Sequence, residues 1–241
     1  MKISHDEIHK TLRRSRHKRS RGKMVRPKHS QSWLDEMRQY AKKAEEHLHD
    51  GDSVLEIAPG PGLLSIELAK LGNYKIVGMD ISSDFVDIAR KNAREADAHV
   101  EFRQVDVSDM PFPDNTFDFI FCTAAFKNFD QPLKALNEMN RVLKMEGTAL
   151  IIDLKRNVSA AEINAMTKKM EVKGIESLFM RVTFKYFLRK GAYTSHEMRD
   201  LIHYSRFRHF EVLDEGVDLC TFLNRDASSR SSPLDLELLG G

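Results

Sequence analysis

Three acids at the ends of apolar runs, Glu56, Asp80 and Asp106, carry the chemistry this sequence offers most plainly. The first is followed almost at once by Ala58-Pro59-Gly60-Pro61-Gly62. Glycines let a backbone approach a ligand closely, and a helix that starts after them presents free N–H groups. An ionised carboxylate only accepts hydrogen bonds, so Asp80 suits the two hydroxyls of a ribose and Asp106 the exocyclic amine of an adenine. Glu56, just ahead of the glycines, would welcome a cationic amino group and repel a pyrophosphate. Singly, such acids more often cap helices or face water. Three in corresponding positions, with a glycine-rich loop after the first, describe a ligand with an amine, a ribose and an adenine but no phosphate.

The elements that must position these residues alternate along the chain. Trp33, Met37, Tyr40, Ala44 and Leu48 recur at three- and four-residue steps and predict a helix over 30–49. Ser53 to Ala58 reads as a buried strand, and a helix follows the glycines through Lys70 to a stop at Gly72-Asn73. Tyr74 to Met79 is a second strand ending at Asp80, with Ser82 placed to cap the next helix, which runs to about Ala96. His99 to Val105 and Phe117 to Thr123 are the third and fourth strands. Pro132 suits the first turn of a helix carrying Leu133, Leu136, Met139 and Leu143, and Glu146-Gly147 turns into a fifth strand, Thr148 to Asp153. Helical segments are expected over 159–172 and 195–204. Phe207 to Leu213 and Val217 to Leu223 then form a hairpin around Asp214-Glu215-Gly216. The sum is an α/β, Rossmann-like fold: a seven-stranded, mostly parallel sheet with helices on both faces and an antiparallel C-terminal hairpin.

A ligand with an amine, a ribose, an adenine and no phosphate is S-adenosyl-L-methionine. On the stretches VLEIAPGPG (54–62), VGMDIS (77–82), QVDVSDMPFPDNTFDFIF (104–121) and ALNEMNRVLKMEGTALIID (135–153), the sequence resembles the class I methyltransferases. It is most similar to the small-molecule branch that includes the ubiquinone/menaquinone-type C-methyltransferases, over roughly residues 30–224. The resemblance implies that Glu56, Ala58, Pro59, Gly60 and Gly62 surround the methionine part of the cofactor. It further implies that Asp80 and Ile81 hold the ribose, that Asp106 and Val107 hold the adenine, and that Thr123 and Ala124 lie near the sulfonium. Ala58-Pro59 departs from the family, which commonly has Gly followed by a small residue; Ala can serve there if its φ is negative, so a stiffer loop rather than lost binding is expected. Lys127 and Asn128 stand where the C-methyltransferase relatives often carry a His pair, so neither a base nor the quinone substrate is carried over.

Transfer of a methyl group by direct displacement asks the protein mainly to align the reactants and exclude water, so a missing base motif does not weigh against it. Acceptor-side candidates are His29, Trp33 and Tyr40 on the approach to the first helix, Phe126 and Lys127 after the fourth strand, and Arg181 and Phe184 in the aromatic and basic stretch 174–190. Core packing and a solvated basic face are the plainer reading of several of these. The remaining histidines show no metal-ligand grouping, and no metal is expected.

The net charge of +2 conceals an asymmetry: residues 1–28 carry eleven Lys/Arg against Asp6 and Glu7, leaving residues 29–241 with net −7. Residues 1–29 read as a basic arm without fixed structure in isolation, and 225–241 as a flexible tail, flanking a domain over 30–224 with a helical insertion at about 159–204. Residues 10–28 could contact nucleic acid or another anionic surface. No membrane span or secretory signal is visible, and Cys122 and Cys220 read as reduced, buried thiols, so a cytoplasmic enzyme with a small-molecule acceptor is expected. Two rivals remain open. A nicotinamide-dependent oxidoreductase would continue Gly60-x-Gly62 to a glycine at 65, where the chain has Ser65. An RNA methyltransferase or RNA-binding protein would use the basic arm.

Overall fold

The computed structural model describes residues 31–169 and 191–226. Helix α1 (Gln31–Glu45) leads into β1 (Ser53–Ile57), α2 (Leu63–Ala69), β2 (Lys75–Asp80), α3 (Ser83–Glu95), β3 (Val100–Gln104) and β4 (Phe117–Thr123). Then follow α4 (Pro132–Val142), β5 (Leu143–Leu154), α5 (Ala160–Lys169), α6 (Ser195–His203), β6 (His209–Glu215) and β7 (Asp218–Asn224). The seven strands form one sheet in the order β3-β2-β1-β4-β5-β7-β6. Strands β1 to β5 pair in parallel, whereas β7 runs antiparallel to both of its neighbours. The fold class read from the sequence holds.

The central strands are apolar on both faces because each face carries helices. On one face Val54, Phe119 and Phe121 pack against Met37, Ala41, Leu64 and Leu68 of α1 and α2. On the other, Leu55, Ile57, Ile120 and Ile151 meet Leu136 and Met139 of α4 and Met198 and Ile202 of α6. Cys122 and Cys220 are free and buried. Local signals set the helix starts. Ser82 Oγ accepts from Phe85 N–H at 3.4 Å, and Pro132 occupies the first turn of α4, both as the sequence indicates. A capping box at α6, in which the Thr194 side chain accepts from Glu197 N–H and Glu197 accepts from Thr194 N–H, was legible as Thr-x-x-Glu but not anticipated.

Several boundaries differ: the first helix stops at Glu45, not His49, the hairpin strands run His209–Glu215 and Asp218–Asn224, and the fifth strand differs most. The fifth strand begins at Leu143, not Thr148: Phe117 pairs with Leu143 and Phe119 with Thr148, so Lys144 to Gly147 bulge outward within the strand. Gly147 permits this because a Cβ there would sit 2.9 Å from the Asp118 carbonyl oxygen. Of the helix expected over 159–172, residues 160–169 form α5. The rest of that helix, the basic arm, the aromatic and basic stretch 174–190 and residues 227–241 lie outside the described residues. Among the described residues no helix is long and apolar enough to cross a membrane.

Candidate active site

Parallel strands direct their carboxyl ends to one edge of the sheet, and open α/β sheets bind ligands there, where the strand order reverses. In this chain the reversal falls between β1 and β4. Because β3, β2 and β1 are consecutive neighbours, Asp106, Asp80 and Glu56 follow one another along that edge. At roughly 4.8 Å between strands they span on the order of 10 Å.

The loop beside them is tightly tied. Ala58 N–H donates to the Met79 carbonyl at 2.7 Å, Gly62 N–H to the Pro59 carbonyl at 2.9 Å, and Asn92 Nδ2 to the Pro61 carbonyl at 2.8 Å. Gly62, at φ 78°, could not carry a side chain, since a Cβ would stand 2.6 Å from Phe102 Cζ. The negative φ that would suit an alanine here is not adopted: Ala58 has φ 57°, in the left-handed region. The Met79 hydrogen bond and the turn through Pro59 hold it there, and an alanine in that region costs about 1–2 kcal/mol.

Each acid has a different environment. Glu56 is 2% exposed, and one oxygen, Oε2, accepts both the N–H (3.1 Å) and the hydroxyl of Ser65. Burial pushes its carboxyl up to about 7, against the two Ser65 hydrogen bonds and with help from the Asp80 charge. Asp80 is also buried; Oδ1 accepts from Ser82 N–H at 2.8 Å and Oδ2 from Gly60 N–H at 3.3 Å. Burial raises its pKa, and these backbone donors oppose the rise. Each oxygen retains a lone pair for a further donor. Ile81 beside it is a large apolar residue left 46% exposed, available to pack under a flat ring. Asp106 is exposed, with Oδ1 accepting from Ser108 N–H and Oγ at 2.8 Å, and Val107 is half-buried.

Across the reversal, Thr123 ends β4 and Ala124 follows at φ 55°, its N–H bonded to the Ile152 carbonyl at 2.8 Å. Lys127 Nζ is ion-paired with Asp153 Oδ1 and donates to the Ala124 carbonyl at 2.9 Å, while Lys127 N–H reaches Asp153 Oδ2 at 2.9 Å. Phe126, expected on the acceptor side, instead lies wholly in the core, edge-on to Phe129 with ring centroids 5.3 Å apart and beside Tyr193 at 5.8 Å. Tyr40 donates to Glu36 at 3.3 Å and packs on Ile152, Cys220 and Phe222. Burial and the charges of Asp218 and Glu36 raise its pKa. Trp33 lies in α1; His29, Arg181 and Phe184 fall outside the described residues.

Three residues of this edge escaped the sequence reading. Ser65 figured only as a missing third glycine, Asp153 only as a strand end, and Asp218 not at all. Asp153 carries the same signal as the first three acids, an acid closing an apolar strand. Asp218 begins the antiparallel β7 opposite Leu154, which brings it to the same edge. Burial, then Glu36 and Asp153, push its carboxyl up to about 7. A cavity of about 370 Å³, lined by His47, Asp52, Asp118, Lys144 and Glu146 among others, opens at the opposite, amino ends of the strands. Its Asp118 is engaged by Lys144 at 2.7 Å and Ser53 N–H at 2.9 Å, and none of the edge acids lines it.

Comparison with known proteins agrees with this architecture. Residues 55–151 match the family described as a methyltransferase domain. The demethylmenaquinone methyltransferase of Chlorobaculum tepidum is 31% identical over 151 residues, covering 61% of this chain and 60% of that protein. The ubiquinone/menaquinone biosynthesis C-methyltransferase UbiE of Bdellovibrio bacteriovorus is 34% identical over 104 residues, 43% of this chain and 44% of its own. The chain thus spans about 60% of the length of the first of these curated relatives. A SAM-dependent methyltransferase structure from Aquifex aeolicus shares the fold with a TM-score of 0.57 at 22% identity, over 79% of this chain and 96% of that one. A putative S-adenosyl-L-methionine-dependent methyltransferase from Methanococcus maripaludis does so with a TM-score of 0.62 at 19% identity, over 88% and 99%. The likeness to ubiquinone/menaquinone-type methyltransferases is one of sequence over these stretches, and the likeness to the solved structures is one of fold.

Proposed function

We propose that this chain is an S-adenosyl-L-methionine-dependent methyltransferase that acts by direct displacement on a small-molecule acceptor in the cytoplasm. The observation that carries it is the row Asp106, Asp80 and Glu56 beside the Ala58–Gly62 loop: buried or edge carboxylates held by neutral donors. In this reading Glu56, Ala58, Pro59, Gly60 and Gly62 face the amino-acid end of the cofactor. Asp80 and Ile81 take the ribose, Asp106 and Val107 the adenine, and Thr123 and Ala124 the region of the sulfonium. Bound there, the cofactor supplies an electrophilic methyl group. The protein supplies alignment and exclusion of water.

On the acceptor side, the relatives are by name menaquinone and ubiquinone biosynthesis methyltransferases, while Lys127 and Asn128 replace the His pair that such enzymes often carry. Lys127, held by Asp153 and the Ala124 carbonyl, is a fixed hydrogen-bond donor rather than a base. Asp218, with its carboxyl near 7, is the acid on this side best matched to take a proton at neutrality.

Thermal unfolding with S-adenosylhomocysteine, S-adenosylmethionine, NAD or NADP tests the reading. A ligand at about 100 times its dissociation constant adds roughly 2.7 kcal/mol, on the order of 5–10 °C here. The adenosyl-sulfur ligands should raise the midpoint, and Asp80→Ala should abolish the response; a response to the nicotinamide ligands alone would refute the proposal. The rival RNA reading requires affinity that falls steeply with salt and disappears on deletion of residues 1–28, whereas the small-molecule reading leaves turnover little changed by that deletion.

A further inference from the structure

Within the reading just proposed, Glu56 has a property that the role of an amine-facing acid does not by itself demand. It is enclosed almost completely, at 2% exposure, and the fully buried Ser65 gives both its N–H and its hydroxyl to a single oxygen, Oε2. No partner among the described residues engages Oε1. The titratable groups facing it are few: Asp80 from β2, whose charge repels its own, and the neutral, buried Cys122 thiol on β4. No lysine or arginine of the described residues offsets it. A carboxyl so placed has little reason to ionise until a cation arrives.

We infer that Glu56 is a proton-linked gate for the cofactor, carrying a proton when the site is empty and releasing it to solvent as the cationic amino-acid end of the cofactor docks, and that Ser65 is the positioning residue that sets the balance. The proton balance is simple: the carboxylic acid becomes a carboxylate beside the ligand ammonium, and one proton goes to buffer. Ser65 favours the ionised form through two donors on Oε2 and leaves Oε1 for the ligand. Burial already holds the empty-site carboxyl near 7, so the exchange falls within ordinary working pH. A seryl hydroxyl at position 65, which an oxidoreductase fingerprint would replace with glycine, thus acquires a role.

The test is calorimetric titration of the whole chain with S-adenosylhomocysteine between pH 6 and 8, in buffers of contrasting ionisation heat. The wild type should release about half a proton per ligand at pH 7, and its affinity should fall about tenfold from pH 8 to pH 6. Ser65→Ala should move the fall to higher pH, and Ser65→Thr, which restores the hydroxyl, should move it back. Glu56→Gln should bind weakly with a flat profile; any slope that persists there belongs to Asp80 and overturns the assignment to Glu56. Tight binding with no proton exchange in the wild type would overturn the inference and leave the cofactor reading standing. No binding at any pH would remove both.

Discussion

The two halves of the site edge handle buried charge in opposite ways. On the β1–β3 side, Glu56 and Asp80 are nearly enclosed, are held by N–H and O–H donors alone, and have raised pKa values. On the β4–β5 side, Asp153 is equally enclosed, at 5% exposure, but it is neutralised by Lys127, whose side chain is 12% exposed. A buried charge is costly unless paired. The first half therefore stores an unmet demand for positive charge, which a bound cation can satisfy, and the second has met its demand internally. Removing an anion from the first half should thus cost ligand affinity and not stability; removing the cation from the second should cost stability and not cofactor affinity.

Lys127→Ala should have the largest effect, destabilising the chain by about 3–5 kcal/mol in urea unfolding, because Asp153 is left buried and unpaired. The double variant Lys127→Met, Asp153→Asn should recover most of that loss, and S-adenosylhomocysteine affinity should stay within about twofold wherever the fold persists. Equal losses of affinity would dissolve the contrast. Asp80→Ala should weaken S-adenosylhomocysteine by about 2–3 kcal/mol, since charge-assisted hydrogen bonds are lost, while the unliganded protein is not destabilised by more than about 1 kcal/mol. The pH dependence of the unliganded protein sharpens the point. Glu56 and Asp218 have folded pKa values near 7, above those of the unfolded chain, and Asp80 is shifted in the same direction. Their stabilising contribution is complete below the unfolded values and is lost as pH rises through 7, so the melting temperature should fall from pH 5.5 to pH 8, and Glu56→Gln should flatten part of that slope. The smallest effect is expected at Ala58→Gly. Relief of the left-handed alanine, less the added freedom of the unfolded chain, should stabilise by about 0.5–1 kcal/mol, or roughly 1–4 °C.

What the sequence revealed and what it hid follow from the range of the interactions. The ends of the first four strands, the glycine loop, the Ser82 cap and Pro132 are local signals, and each stands within a residue of where the sequence placed it. The acids of β1 to β3 were legible because each closes an apolar run. The tie between Lys127 and Asp153 spans 26 residues and depends on β4 and β5 being neighbours, which no local pattern states. Phe126 was misplaced for the same reason: an aromatic after a strand can face a ligand or the core, and only packing against Phe129 and Tyr193 decides. The φ of Ala58 was hidden because its side chain suggested a conformation that the Met79 hydrogen bond overrides. The bulge from Lys144 to Gly147 looked like a turn because an interrupted strand and a tight turn share glycine.

The position of β7 has a consequence for the birth of the molecule. The last of the seven strands in chain order lies between β5 and β6, so β5 has a bare edge until residue 224 has left the ribosome. Strands β1 to β5 can zip together in order as they emerge, with the row of acids complete. The half holding Asp153 must wait with unpaired amides facing outward, a template for a second nascent chain. A chain arrested near residue 205 would thus own most of the cofactor-side edge and yet be the species most prone to stick to its neighbours on a polysome.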